Sequence, residues 1–401
     1  MRALTVGPPK SAPRPDDSAR EPARWRARRW LLPAVIALAI LDGGAATGHA
    51  ASRRLPLAVG DLLLVGFRGT EVEGNEELRA LICDVRVGGL ILFERDAATR
   101  APRNIATAEQ LARLTADAQA LARRCAGRPL LVATDAEGGL VMRLSTRAGY
   151  AATPSAQELG DTGDVAQTEL DARRLGARLR EAGINWNLAP VVDVAVNPAN
   201  PAVVTLGRTY SRDPAEVTAH ARAFVRGMHA AGILTALKHF PGHGSSRLDS
   251  HHGFTDVTDT TDLDVELVPY RALISEGLAD SIMPGHVFNR RLDAWHPASL
   301  SWYTIRRLLR GQLGFKGVVV SDDLLMGAIT QNYGVEDAAL LALGAGVDIL
   351  LIADNNARRE PRAAVRVVAA VRRAVAEGRL RRSAVEAALG RIAALRGRIA
   401  P

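Results

Sequence analysis

The chain has 401 residues, 47% of them hydrophobic, 4% aromatic and 23% charged, the proportions of an ordinary α/β protein rather than of a disordered or membrane-embedded one. Its formal net charge of +8 invites a nucleic-acid partner. However, the first fifty residues hold eight basic and four acidic side chains, half of the excess, and no nucleic-acid partner is expected of the mildly basic remainder.

Taken in chain order, Arg24, Arg26, Arg28 and Arg29 precede an apolar run from Trp30 to Leu41, and small residues then lead to Gly48-His49-Ala50-Ala51. That order is a signal-peptide layout. The run is shorter than the roughly 20 residues of a membrane span, and Pro33 interrupts it. A signal peptide with an extended basic n-region is therefore expected over residues 1–50, of Sec or twin-arginine type given Arg28-Arg29. The folded body over 51–401 is expected to be exported, periplasmic or extracellular, with membrane contact only through an uncleaved signal. No cysteine follows the cleavage region. Cys83 and Cys125 are the only two in the chain; export permits a disulfide between them, two buried thiols are the alternative, and the sequence leaves the choice open.

From Leu62 onward short apolar runs alternate with longer stretches of helical period. Strands are expected at Leu62–Gly66, Gly89–Phe93, Leu130–Asp135, Ile184–Ala189, Leu234–His239, Ser281–His286, Val318–Asp322 and Asp348–Ile352. Helices are expected at Ala108–Arg124, Asp171–Glu181, Ala215–Ala231 and Thr304–Leu313, with closing helices at Ala363–Glu377 and Arg382–Arg396. Eight βα units in this length fit a (β/α)8 TIM barrel, a single catalytic domain without a second C-terminal domain. The alternative is an open doubly wound sheet, but no Gly-rich dinucleotide turn follows the first strand.

Catalytic groups of such a barrel gather at the C-terminal ends of the strands. Strand three ends in Asp135 with Glu137-Gly138-Gly139, and strand four is followed by Asp193. Strand five ends in Lys238-His239, strand six in His286 and strand seven in Asp322-Asp323. Capping explains one aspartate at a helix start, but not five polar strand ends that include lysine and histidine. Lys238 is also one of only three lysines among 51 basic residues. The stretch Lys238–His252 holds four of the nine histidines. A zinc site is the first rival, since His239 and His243 stand at i, i+4. Pro241, Gly242 and Gly244 oppose the helix that spacing needs, so no metal and no cofactor is expected. In Asp249-Ser250-His251 the carboxylate can hold one ring nitrogen and leave the other for proton transfer. Facing Asp322, such a pair meets the needs of retaining glycoside hydrolysis, with an imidazole in place of the usual second carboxyl.

These residues resemble glycoside hydrolase family 3, in its single-domain β-N-acetylglucosaminidase (β-N-acetylhexosaminidase) branch. The resemblance runs from about Leu55 to Ala394. It is carried by Val65–Thr70, Gly88–Phe93, Asp135–Gly139, Lys238–Gly244, Asp249–His251 and Ser321–Met326. It implies a covalent glycosyl-enzyme on Asp322 and acid/base catalysis by His251 supported by Asp249. It also implies sugar contacts from Asp135, Arg208, Lys238 and His239, with His286 lining the pocket. Lysine suits such contacts as a compact multi-donor cation. The implied partner is an N-acetylglucosamine-containing glycan or muropeptide. The family commonly carries Asp-Thr after Gly-His-Gly, where this chain has Ser245-Ser246, and Arg after Glu-Gly-Gly, where it has Leu140; both departures bear on substrate range. Two other readings stay open. One is phosphorolysis, because a neutral imidazole repels phosphate less than a carboxylate does. The other is a non-catalytic envelope sugar-binding barrel, motivated by the altered loop and the arginines of the C-terminal helices.

Overall fold

The eight apolar runs become strands β1 (Leu63–Gly66), β2 (Gly89–Leu92), β3 (Leu131–Thr134), β4 (Trp186–Asn187), β5 (Leu234–Phe240), β6 (Ser281–Pro284), β7 (Val318–Val319) and β8 (Leu350–Ile352). Every residue in them is buried. Strands covered on both faces read as unbroken apolar runs, which is why the sequence displays them without alternation. The computed structural model describes residues 57–356 and 359–399; the signal peptide expected over 1–50 lies outside the described residues.

The strands form one parallel sheet in the order β7-β6-β5-β4-β3-β2-β1-β8. The sheet curls, and its two ends approach each other. Val320, just beyond β7, bridges Ile349, just before β8; Ile349 N donates to Val319 O at 3.0 Å and Ser321 N to Ile349 O at 2.8 Å. Of the expected architecture, the structure displays the curled, all-parallel α/β sheet.

The helix Ala108–Ala126 between β2 and β3 shows how the sequence sets its elements. Thr107 caps its start by accepting from Gln110 N, Gly127 ends it in the left-handed region, and Leu111, Leu114, Ala118, Leu121 and Ala122 form the buried stripe. The helix before β4 runs from Val165 to Glu181, two turns earlier than its apolar period indicates. In its first turns Val165 and Leu170 are exposed and only Thr168 is buried, so no apolar stripe marks them, and the Asp164 side chain, accepting from Gln167 N, starts them. The segment Tyr303–Gln312 is wound as a π-helix, not an α-helix. Cys83 and Cys125 are joined in a disulfide, with their Cα atoms 4.9 Å apart.

Several strands end earlier than their apolar runs: β4 pairs only over Trp186–Asn187 and β7 only over Val318–Val319. Beyond them single bridges join Val191 to Lys238 and Val320 to Ile349, and the residues that follow carry their side chains to one end of the sheet.

Candidate active site

At the C-terminal ends of the strands lies a cavity of 290 Å3 whose lining includes Asp135, Arg208, Lys238, His239, His251 and Asp322. Apolar residues of the strands, Ile91, Met283 and Leu351, and Leu188 just beyond β4 also line it. A larger hollow of 750 Å3 is lined by the two closing helices and the segment between them, and by none of these groups.

β5 supplies two adjacent site residues. Along a regular strand successive side chains face opposite ways, but the ladder to β6 shifts register between Lys238 and Phe240, and such an irregularity re-aims side chains. Both Lys238 and His239 consequently reach the cavity. Lys238 Nζ donates to Asp135 Oδ1 at 2.9 Å and lies 2.7 Å from Glu137 Oε1. Arg208 grips the same Glu137 with two parallel bonds of 2.8 Å and gives a third to Ala202 O. Burial opposes the charged form of Glu137, but Arg208 and Lys238 outweigh it and hold the carboxyl well below its ordinary range. Asp135 is likewise lowered against burial, by Lys238 and Arg143. Arg143 itself packs over the Phe93 ring, 5.6 Å from its centre.

Asp193, beyond β4, organises the histidines. Its Oδ2 accepts from His239 Nδ1 at 2.8 Å, while Oδ1 accepts the backbone N–H of His239 and of His243. The first bond fixes the His239 tautomer and leaves Nε2 for a ligand. His243 is turned away, with Nε2 on Ser250 Oγ at 3.1 Å; burial pushes its pKa down to about 4.

Asp322 follows β7. Burial disfavours its charge, yet the surrounding His286, His239 and His251 bring its pKa down to about 2. Its Oδ1 accepts from Asp323 N at 2.8 Å. Asp323 differs: burial, with the adjacent Asp322 adding to it, raises its carboxyl to about 6, although Oδ1 accepts from Leu325 N and Ala353 N. On the far side of the cavity Asp249 Oδ1 accepts from His251 Nδ1 at 2.7 Å and from His251 N at 2.9 Å. Crowding around the ring favours neutral imidazole, but the bond to Asp249 and the charge of Asp322 outweigh it, and the His251 pKa is raised. The pair thus offers a carboxylate ready to attack and an imidazolium ready to donate.

The structure brings Asp135, Arg208, Lys238, His239, His251 and Asp322 around one cavity, with Asp249 behind His251. His286 is placed differently from the expectation. Its Nε2 donates to the Asp323 carbonyl at 2.9 Å and its Nδ1 accepts from Ser299 Oγ at 2.6 Å. Both nitrogens are committed, so His286 buttresses the Asp322–Asp323 strand end from behind and has none left for a sugar. Glu137 and Asp193 stand at strand ends, but the sequence alone attaches no role to them. Alternation from Asp135 to Glu137 on an extended backbone was the available signal for the first. Of the two family departures, Leu140 is exposed, whereas Ser245 and Ser246 are fully buried.

A family model described as the glycosyl hydrolase family 3 N-terminal domain matches residues 55–395. A beta-hexosaminidase of Xanthomonas campestris pv. campestris is 38% identical over 301 residues, covering 73% of this chain and 84% of that protein. One of Idiomarina loihiensis is 36% identical over 301 residues, with 74% and 84% covered. Among solved structures, a glycoside hydrolase family 3 beta-N-acetylglucosaminidase from Paenibacillus sp. superposes with a TM-score of 0.78 at 37% identity, over 85% of this chain and 62% of that one. The beta-N-acetylhexosaminidase from Beutenbergia cavernae gives 0.76 at 34% identity, over 85% and 97%. With the match spanning nearly all the described residues, the chain belongs to glycosyl hydrolase family 3 and is a glycoside hydrolase.

Proposed function

We propose that this enzyme is a retaining exo-β-N-acetylglucosaminidase that removes terminal β-linked N-acetylglucosamine from glycans or muropeptides, including peptidoglycan fragments. Its relatives named beta-hexosaminidase support the substrate class. The observation that carries the mechanism is one cavity shared by an ionised Asp322 and an Asp249-held His251.

In the first step Asp322 attacks the anomeric carbon through Oδ2, since Oδ1 is held by Asp323 N. The glycosidic bond breaks as His251 gives its proton to the leaving oxygen, and a glycosyl-Asp322 ester forms. In the second step His251 takes a proton from water, the water attacks the same carbon, and the Asp322 carboxylate departs. Lys238 and Arg208 neutralise Asp135 and Glu137, which fixes those groups as a rigid set of hydroxyl partners. A cavity of 290 Å3 lies at the small end of ligand sites, in keeping with a single terminal sugar.

The same reading takes the curled sheet as a closed (β/α)8 barrel, supported by the Val320–Ile349 bridge, and the chain as exported after loss of residues 1–50. The Cys83–Cys125 disulfide supports an oxidising destination. Asp322→Ala is expected to abolish release of chromophore from an aryl N-acetyl-β-glucosaminide. Turnover by that variant near the wild-type rate rejects Asp322 as nucleophile.

A further inference from the structure

The turn from Pro241 to Ser246 joins the sugar-facing end of β5 to the loop that carries Asp249 and His251, and two buried carboxyls grip it. Asp193 takes the N–H groups of His239 and His243 on one side. On the other is Glu266, the last residue of the short helix Leu263–Glu266 and only 1% exposed. Its Oε1 accepts from Ser245 N at 3.0 Å. Its Oε2 is buried with no hydrogen-bond partner among the described residues, as are the hydroxyls of Ser245 and Ser246.

The fit is close. A Cβ on Gly242, whose φ is +147°, would stand 2.3 Å from Glu266 Oε2, and one on Gly244 would stand 1.7 Å from Val194 O. From the gripped turn, His243 passes the constraint onward through its 3.1 Å bond to Ser250 Oγ, and Ser250 lies between Asp249 and His251. The loop then docks beside the nucleophile, with Ala328 N donating to Ser250 O and Gly327 N to His251 O, both at 3.2 Å.

We propose that Glu266 is a positioning residue for proton transfer: its buried carboxyl anchors the turn at Ser245 and, through His243 and Ser250, fixes where the Asp249–His251 pair stands. This rests on the reading of His251 as the acid. Burial and the charge of Asp193, with Asp262 adding to them, raise the Glu266 carboxyl to about 8, so near neutrality it is protonated and does not repel Asp193. Tyr270 also faces it, with its phenol pushed up by burial and by the charges of Asp193 and Glu266. Ser245, where the family commonly carries aspartate, keeps a third carboxyl out of this group.

The test compares two aglycones on N-acetyl-β-glucosaminides, phenol, which needs a proton to leave, and 2,4-dinitrophenol, which does not. For Glu266→Leu, similar in size but without an acceptor, kcat/KM on the phenyl substrate is expected to fall about 10- to 100-fold, with less than about a threefold loss on the dinitrophenyl one. Glu266→Gln, which keeps the acceptor, is expected to stay within about threefold on both. Equal losses on the two substrates, or none, overturn the proposal. Should Glu266→Leu not fold, Ser250→Ala cuts the same tether and must show the same selective loss. His251→Ala is the reference: if it too fails to discriminate between the aglycones, the acid reading falls and takes this inference with it. If it discriminates and Glu266→Leu does not, only the role of Glu266 falls.

Discussion

Asp322 and Asp323 are neighbours in the chain with opposite tendencies, one lowered to about 2 and the other raised to about 6. Three imidazoles face the first; the second has a carboxylate beside it. That contrast sets a pH profile. Asp322 stays ionised until the pH falls toward 2, so it imposes no acid limit in the ordinary working range. His251 donates only while protonated, and its pKa is raised above the ordinary imidazole value of about 6.5. Activity on a substrate with a poor leaving group is therefore expected to persist through mildly acidic pH and to fall as pH rises through the His251 pKa. A kcat/KM profile rising toward alkaline pH would contradict the assignment of acid and nucleophile. Residue by residue, the sequence exposed the groups that gather at the cavity, since Asp322, His251 and Lys238 stand at strand ends or in short motifs. It did not expose Glu137 as the shared partner of Lys238 and Arg208, because those bonds join positions far apart in the chain.

Among the elements, β5 and the turn after it do the most to shape the site. Its apolar run predicts the strand, but the register shift that admits both Lys238 and His239 to the cavity depends on how β5 pairs with β6. The turn that follows has no room for side chains where it crosses its neighbours. Gly244→Ala would place a Cβ 1.7 Å from the Val194 carbonyl, against backbone that cannot rotate aside. The expected cost is about 1–3 kcal/mol of stability, together with a fall in kcat as the loop shifts the Asp249–His251 pair. Chemical denaturation and steady-state kinetics on the purified variant measure both. Wild-type values for that variant would mean that the turn is softer than its contacts indicate. The helix beginning at Val165 carries the complementary lesson: a cap governs its start, and the apolar period detects it two turns late.

For the molecule as a whole, the Cys83–Cys125 bond closes a loop over a separation of 42 residues. Constraint of the unfolded chain by such a loop stabilises by about 4 kcal/mol. Reduction under native conditions, or Cys83→Ser with Cys125→Ser, is expected to lower the denaturant midpoint by a corresponding amount while leaving the cavity chemistry in place. An unchanged midpoint would show that the bond does not form or does not constrain the unfolded chain. The sequence by itself determined the alternation of strands and helices, the eight parallel strands and the family, because strands buried on both faces and short family motifs are local properties of the chain. The tertiary structure alone decided what those residues touch. It set Lys238 against Asp135 and Glu137, turned both nitrogens of His286 to the protein, paired the cysteines and put Glu266 against the turn after β5. Each of these contacts is made across the curl of the sheet or by a loop folded over its end, and no local pattern in the sequence encodes where those meet.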